Sequence, residues 1–164
     1  MVTITGLFKQ IKKFEKIDKV DLLNSFKNQF KTERERELLI EAIKTCNKKQ
    51  SPIYIYFDKN KPAGFINLEF DKIQDLPVVS VGYLFVVKDY RKKKIINNIT
   101  ISQLLIFYTI KFIITQIQIF IQVRHLALYP DQQNEKLINH YLKIIPNSYK
   151  LKDKKEFWIL MKVA

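Results

Sequence analysis

A mixed α/β (α+β) fold, with a mainly antiparallel central sheet and helices on both faces, follows from three observations. Apolar runs of strand length, bounded by turn-forming residues, recur at residues 53–57, 63–70 and 78–87. Helical spacing of apolar residues separates further strand-like segments at both ends of the chain. The order of these segments is β-α-α-β-β-β-α-β-α-β-β, which matches one layered domain rather than a bundle or a sandwich.

Each element has a local reason. Residues 2–7 begin with the β-branched run Val2-Thr3-Ile4-Thr5 and read as a first strand. Asp18 or Asp21 can cap a helix that runs to about Phe30. Thr32-Glu33-Arg34-Glu35 has the form of a capping box, and Leu38, Leu39 and Ile43 carry that helix to about Asn47. Residues 53–57 and 63–70 form a pair of strands around the turn Asp58-Lys59-Asn60-Lys61-Pro62. A strand over 78–87 follows Asp75-Leu76-Pro77. Ile101, Leu104, Leu105, Tyr108 and Phe112 fall on one helical face, which predicts a helix over 96–114. Ile117, Ile119, Ile121 and Val123 then alternate with Gln116, Gln118, Gln122 and Arg124, which predicts a half-buried strand. Residues 134–143 form a short helix, and 148–151 with 157–163 close the chain as a hairpin around Lys152-Asp153-Lys154-Lys155.

Composition narrows the function classes. The 164 residues fit one domain, residues 1–164, with 47% apolar and 27% charged side chains. That apolar content excludes a disordered chain. A single cysteine, Cys46, excludes an intrachain disulfide scaffold and suits a reducing, cytoplasmic setting. The apolar stretch 99–123 carries Lys111 and several glutamines and changes period midway, which argues against a membrane span. His125 and His140 have no third ligand at metal spacing, so no metal site is expected. The net charge of +13 suits phosphate-rich partners, although the abundance of Lys, Ile and Asn also has the look of an AT-rich coding sequence.

The densest chemical signal is the run from Leu84 to Asn97. A strand ends there, a helix follows, and Arg91-Lys92-Lys93-Lys94 lies between them. The unpaired first amides and the dipole of a helix attract anions, and four side-chain charges reinforce them. At these residues the chain resembles the GNAT superfamily of N-acetyltransferases, whose signature is a strand, then Arg/Gln-x-x-Gly-x-Gly/Ala, then a helix. Arg91 takes the first position, while Lys94 and Ile96 stand where the family has small residues. The resemblance implies acetyl-CoA as cofactor. Its diphosphate would be held by Arg91, Lys92, Lys93, Lys94, Ile95, Ile96 and Asn97. Backbone amides of Phe85, Val86 and Val87, freed by a splay of the strands, would polarise the thioester carbonyl.

Asn134 and, seven residues on, Tyr141 resemble the family's fourth helix. The resemblance implies that Asn134 hydrogen-bonds the pantetheine arm and that Tyr141 is the general acid for the departing thiolate. Some family members carry a Glu on the strand before the signature. Here that position is Ser80, which could at most orient a water.

The reading is therefore an N-acetyltransferase acting on a primary amine by direct attack. Two alternatives accompany it. One is a toxin-like enzyme acetylating the amino acid of charged tRNA, which the +13 charge would suit. The other is a non-catalytic GNAT-like binding module, motivated by Lys94 and Ile96. Exposed strand edges make a homodimer compatible with the fold.

Overall fold

The computed structural model describes residues 4–49, 51–96, 98–118 and 122–163. The elements are helix α1 (Ile4–Phe8), strand β1 (Ile11–Phe14), helices α2 (Lys19–Ser25) and α3 (Glu33–Lys49), strands β2 (Ile53–Asp58), β3 (Lys61–Ile73) and β4 (Leu76–Val86), and helix α4 (Ile101–Tyr108). A π-helical segment (Thr109–Ile114) continues α4 into the single turn α5 (Thr115–Ile117). Strand β5 (His125–Leu128), helix α6 (Glu135–Ile144) and strands β6 (Ser148–Asp153) and β7 (Glu156–Lys162) complete the chain. The seven strands run in the order β1-β2-β3-β4-β5-β7-β6. The pair β4–β5 is parallel, whereas β1–β2, β2–β3, β5–β7 and β7–β6 are antiparallel. The predicted mixed, mainly antiparallel fold is therefore found.

The chain forms two compact units, and β3 and β4 contribute residues to both. One unit comprises Met1–Leu68 and Tyr83–Leu105. Its core is aromatic: Phe26 is fully buried and meets Phe65 and Phe85 edge-on, with ring centroids 5.9 and 5.8 Å away. Leu39, Ile43 and Cys46 of α3 and Ile53 and Ile55 of β2 complete this cluster. The Cys46 thiol is buried against the carbonyls of Phe14 and Glu15, and burial pushes its pKa up, so it is not a reactive thiolate. Asp18 caps α2 by accepting from the amides of Val20 and Asp21 at 2.7 and 3.0 Å. The β2–β3 turn is tighter than the predicted five residues. Only Lys59 and Asn60 lie outside the strands, both with positive φ, as a two-residue turn of a right-twisted hairpin requires. Gly64 is needed on β3, because a Cβ there would sit 2.8 Å from the Phe85 carbonyl oxygen and 2.9 Å from Ile101 Cγ2.

The other unit comprises Glu69–Gly82 and Ile106–Ala164. Ile73, Val78, Ala127 and Leu160 form its buried cluster, flanked by Leu76, Leu151 and Trp158. Trp158 also packs on the Tyr129 ring at 5.2 Å. The terminal hairpin is found where the sequence predicts it, but its turn is tighter than the expected Lys152–Lys155: Asp153 pairs with Glu156, and only Lys154 and Lys155 lie between the strands.

Four expectations are corrected. The helix expected to run to about Phe30 ends at Ser25, and Asn28 beyond it takes a positive φ of 64°. Residues 4–7, expected in a strand, belong to helix α1, and the edge position beside β2 is taken instead by Ile11–Phe14, paired Ile11 to Tyr56 through Phe14 to Ile53. Val2, which began the expected strand, lies outside the described residues. The helix expected from residue 96 starts at Ile101, because Thr100 and Gln103 form a reciprocal cap: Gln103 Oε1 accepts from the Thr100 amide at 3.0 Å, and Thr100 Oγ1 from the Gln103 amide at 3.4 Å. The strand expected over 116–124 is displaced. Gln116 and Ile117 are helical, Gln118 donates its amide to the Ile114 carbonyl, and residues 119–121 lie outside the described residues. The strand is His-Leu-Ala-Leu instead. Flanked in the sheet by β4 and β7, it buries its last three residues and shows no alternation.

Candidate active site

Strand β4 ends at Val86, a single 3₁₀ turn (Lys88–Tyr90) follows, and the segment is tied down at two residues before α4 begins. Arg91 donates from Nε to the Val86 carbonyl at 2.8 Å and from Nη1 to Glu35 Oε1 at 2.8 Å, and its guanidinium lies 5.4 Å from the Phe85 ring centroid. Glu35 also accepts from the Lys31 amide at 2.6 Å, closing the capping box of α3. Burial disfavours its charge, but the hydrogen bonds from Arg91 and the main chain, with the Arg91 charge, outweigh that and hold its carboxyl below the usual glutamate value. The second tie is Tyr90, whose hydroxyl donates to Asp58 on the β2–β3 hairpin. That bond first, then burial, pushes the phenol up to about 12. Lys93 lies over the Tyr90 ring at 4.9 Å.

The amides of this segment divide by alternation. Arg91 donates to the Lys88 carbonyl, Lys93 to Tyr90 and Ile95 to Ile99. Those of Lys92, Lys94 and Ile96 make no hydrogen bond to another described residue. Lys92 takes a left-handed φ of 65°, whereas the two positions that carry small residues in the family, Lys94 and Ile96, do not. Lys92, Lys93 and Lys94 are exposed, and Lys94 Nζ reaches the Asn98 carbonyl at 2.9 Å. Asn97, expected in the diphosphate set, lies outside the described residues. The unpaired amides thus belong to the loop itself. They are not the first turn of α4, where the sequence reading put them.

Of the three amides expected to polarise a carbonyl, Val87's donates to Ala63 at 3.0 Å and is occupied. In an antiparallel strand alternate residues present their N–H to opposite edges. The Val86 amide therefore faces away from β3, the side on which its carbonyl meets Arg91. The parallel register of β4 with β5 covers only residues 79–81 against 126–128, and β4 runs on to Val86. Phe85 is a buried core ring, stacked 5.6 Å from Phe65.

The second unit holds the other candidates. Ser80 is buried on β4 opposite Ala127, and its hydroxyl donates to the Glu69 carbonyl at 3.4 Å. Asn134 is the N-cap of α6, its Oδ1 accepting from the Lys136 and Leu137 amides at 3.0 and 3.3 Å. Its Nδ2 makes no hydrogen bond to another described residue, so a ligand would meet the amide as a donor. Tyr141 lies two turns along α6. Its hydroxyl has no hydrogen-bond partner among the described residues. Burial, with a contribution from Asp131, pushes that phenol up to about 12, so it holds its proton through the physiological range. Among the described residues no three His, Cys, Asp or Glu side chains gather as a metal site. No helix of the described residues is long and apolar enough to cross a membrane.

No protein-family model matches this sequence, and no curated protein sequence does. Solved structures do. The AtaT toxin mutant bound to the C-terminus of the antitoxin AtaR superposes with a TM-score of 0.69 at 12% identity, over 93% of this chain and 90% of that one. Aminoglycoside 6'-acetyltransferase type Ii gives 0.61 at 15% identity, over 94% and 97%. The Campylobacter jejuni N-acetyltransferase PseH in complex with acetyl coenzyme A gives 0.57 at 15%, over 94% and 98%. The chain has the fold of the GNAT N-acetyltransferases.

Three groups in this picture had not been placed in the site from the sequence. Glu35 and Asp58 anchor the loop, and each is 32 or more positions from its partner, beyond any spacing rule. The cap of α4 was legible: Thr100-Ile101-Ser102-Gln103 has the T-x-x-Q form.

Proposed function

We propose that this chain is an acetyl-CoA-dependent N-acetyltransferase that acts on a primary amine in a ternary complex, and that residues 1–164 work as one acyltransferase domain. The observation that carries the reading is the loop after β4 on this fold: three amides, at Lys92, Lys94 and Ile96, without a hydrogen-bond partner among the described residues, beside three exposed lysines. Main-chain N–H groups and lysine charges are the donors a diphosphate needs. Arg91 serves this loop as a brace, leaving Lys92, Lys93 and Lys94 as its exposed cations.

Acetyl-CoA supplies the activated acetyl group. The Val86 amide polarises the thioester carbonyl, the Asn134 carboxamide donates to the pantetheine arm, and the acceptor nitrogen forms the new C–N bond as the C–S bond breaks. Tyr141 gives its proton to the sulfur that leaves, and the proton released by the nitrogen passes to water. Ser80 donates its hydroxyl hydrogen bond to the Glu69 carbonyl, which leaves its oxygen only as an acceptor for a water. The buried thiol of Cys46 suits a reducing cytoplasm. The sheet ends in β1 and β6, and a homodimer would form through one of those edges. A thiol-release assay with acetyl-CoA and a panel of amines tests the reaction: amine-dependent CoA release supports it, and release no faster than the amine-free control contradicts it.

The charge of +13 favours a second reading, in which the amine is carried on tRNA. The AtaT structures are of a toxin with its antitoxin, and this chain would then work with a comparable partner. Substrate binding that falls steeply with salt supports this reading, and salt-indifferent binding removes it.

A further inference from the structure

Past the end of β5, one edge of β7 is closed by a side chain. The ladder between these two strands runs out at Leu128 opposite Ile159. On that edge the Val163 amide reaches the Arg124 carbonyl at 2.7 Å. Alternate residues of an antiparallel strand turn their main-chain groups to the same edge, so Phe157 turns its own there too. Gln133 meets them where a strand would. Its Oε1 accepts from the Phe157 amide at 2.5 Å, and its Nε2 donates to the Phe157 carbonyl at 3.2 Å. A carboxamide suits this place because it offers a carbonyl acceptor and an N–H donor side by side, as the main chain does. The residues flanking Phe157 are joined to the same loop: the Tyr129 hydroxyl donates to Glu156 Oε1 at 2.9 Å, and the Tyr129 ring packs on Trp158.

The loop does not take this shape for local reasons. Gln132 and Gln133 both have a left-handed φ, 54° and 52°, which L side chains oppose. Such a backbone persists only where its surroundings hold it, and the clamp on Phe157 is that hold. Asn134 follows at once as the N-cap of α6, its amide donating to the Asp131 carbonyl at 3.2 Å. Tyr141 lies two turns further along the same helix. A displacement at residue 133 is therefore passed to both. We infer that Gln133 is the positioning residue of the α6 donor pair: by clamping the Phe157 main chain it fixes where the helix starts, and so where Asn134 meets the pantetheine arm and Tyr141 the leaving sulfur. Both polar atoms of Gln133 are committed to the main chain, so it acts through these two residues and not on the substrate. The inference rests on the acetyltransferase reading and adds to it the contact that aims the acid.

The test is steady-state CoA release by the full chain, comparing wild type, Gln133→Leu and Gln133→Glu, each with and without Tyr141→Phe, below the melting temperature of every variant. Leucine removes both bonds of the clamp, and glutamate keeps the acceptor but loses the donor. In the Tyr141 background the leucine variant should lose at least about tenfold in kcat, the scale of a misaimed reacting group, and the glutamate variant should fall between it and wild type. In the Tyr141→Phe background the same substitutions should change kcat by less than about twofold, because the acid they misplace is gone. The KM for acetyl-CoA should rise by roughly two- to tenfold in both backgrounds, the share that passes through Asn134. A purely structural role would lower the melting temperature and cost the same factor in kcat in both backgrounds. That result, or kcat values equal to wild type in the leucine and glutamate variants, overturns the inference while leaving the acetyltransferase reading in place. Should the leucine variant fail to fold, the glutamate variant carries the same comparison. A wild type whose CoA release does not exceed the amine-free control overturns the acetyltransferase reading, and the role of Gln133 with it.

Discussion

Arg91 and Glu35 meet at 2.8 Å across 56 positions of sequence, and that ion pair joins the loop after β4 to the first turn of α3. The pair is about a quarter exposed, so its weight lies in geometry more than in Coulomb energy. Arg91 spends Nε and Nη1 on protein acceptors. A residue expected to grip a diphosphate is thereby a strut that positions other donors.

Glu35→Gln should loosen that strut. The KM for acetyl-CoA should rise by roughly three- to tenfold, the scale of one lost charge-assisted hydrogen bond, with kcat little changed. The pH dependence carries a sign. Glu35 is depressed in the folded state, so its ion pair contributes stability above the ordinary value of 4.5 and loses it as the pH falls through the lower folded value. Acid unfolding of the Gln variant should lack that component. An unchanged KM and an unchanged acid profile would show that Glu35 does not position the loop.

Tyr141→Phe should lower turnover by roughly 10² to 10⁴ while acetyl-CoA affinity stays near wild type. With a phenol near 12, the wild-type rate should show no loss from tyrosine ionisation between pH 7 and pH 10. Steady-state kinetics across that range checks both. Turnover equal to wild type removes Tyr141 from the acid role.

Lys92→Gly should raise stability by about 1 kcal/mol, because a side chain at φ 65° opposes the left-handed backbone. The same substitution removes a cation from the proposed phosphate loop, so acetyl-CoA should bind more weakly. Glycine at Lys94 or Ile96, which have ordinary φ, should give no such gain. Denaturant melts of the three variants separate these outcomes, and equal gains at all three positions would contradict the backbone argument.

Phe26→Ala should cost about 3–5 kcal/mol, since Phe26 is fully buried and three other phenylalanine rings lie within 6.3 Å of it, centroid to centroid. Urea denaturation measures this directly. A cost under about 1 kcal/mol would mean that the cluster repacks around the loss.

The elements easiest to read were those whose signal is local. Asp18 and the Thr32 box each act within four residues, and each stands where the sequence puts it. Burial on both faces hid β5, because His-Leu-Ala-Leu has no period to detect while the Ile/Gln alternation before it imitates a strand. Residues 4–7 misled through β-branching alone, a preference that pairing overrides. In the site, residue types pointed to a phosphate loop, but not to the division of labour inside it. That division depends on Glu35 and Asp58, which only the folded chain brings to Arg91 and Tyr90.

The most direct test of the account is a calorimetric titration of acetyl-CoA into the wild type and into Lys92→Glu/Lys94→Glu. The account predicts saturable one-to-one binding that weakens with salt and falls at least about tenfold in the double variant. A heat-silent titration at millimolar acetyl-CoA, or equal affinity in both proteins, would contradict it.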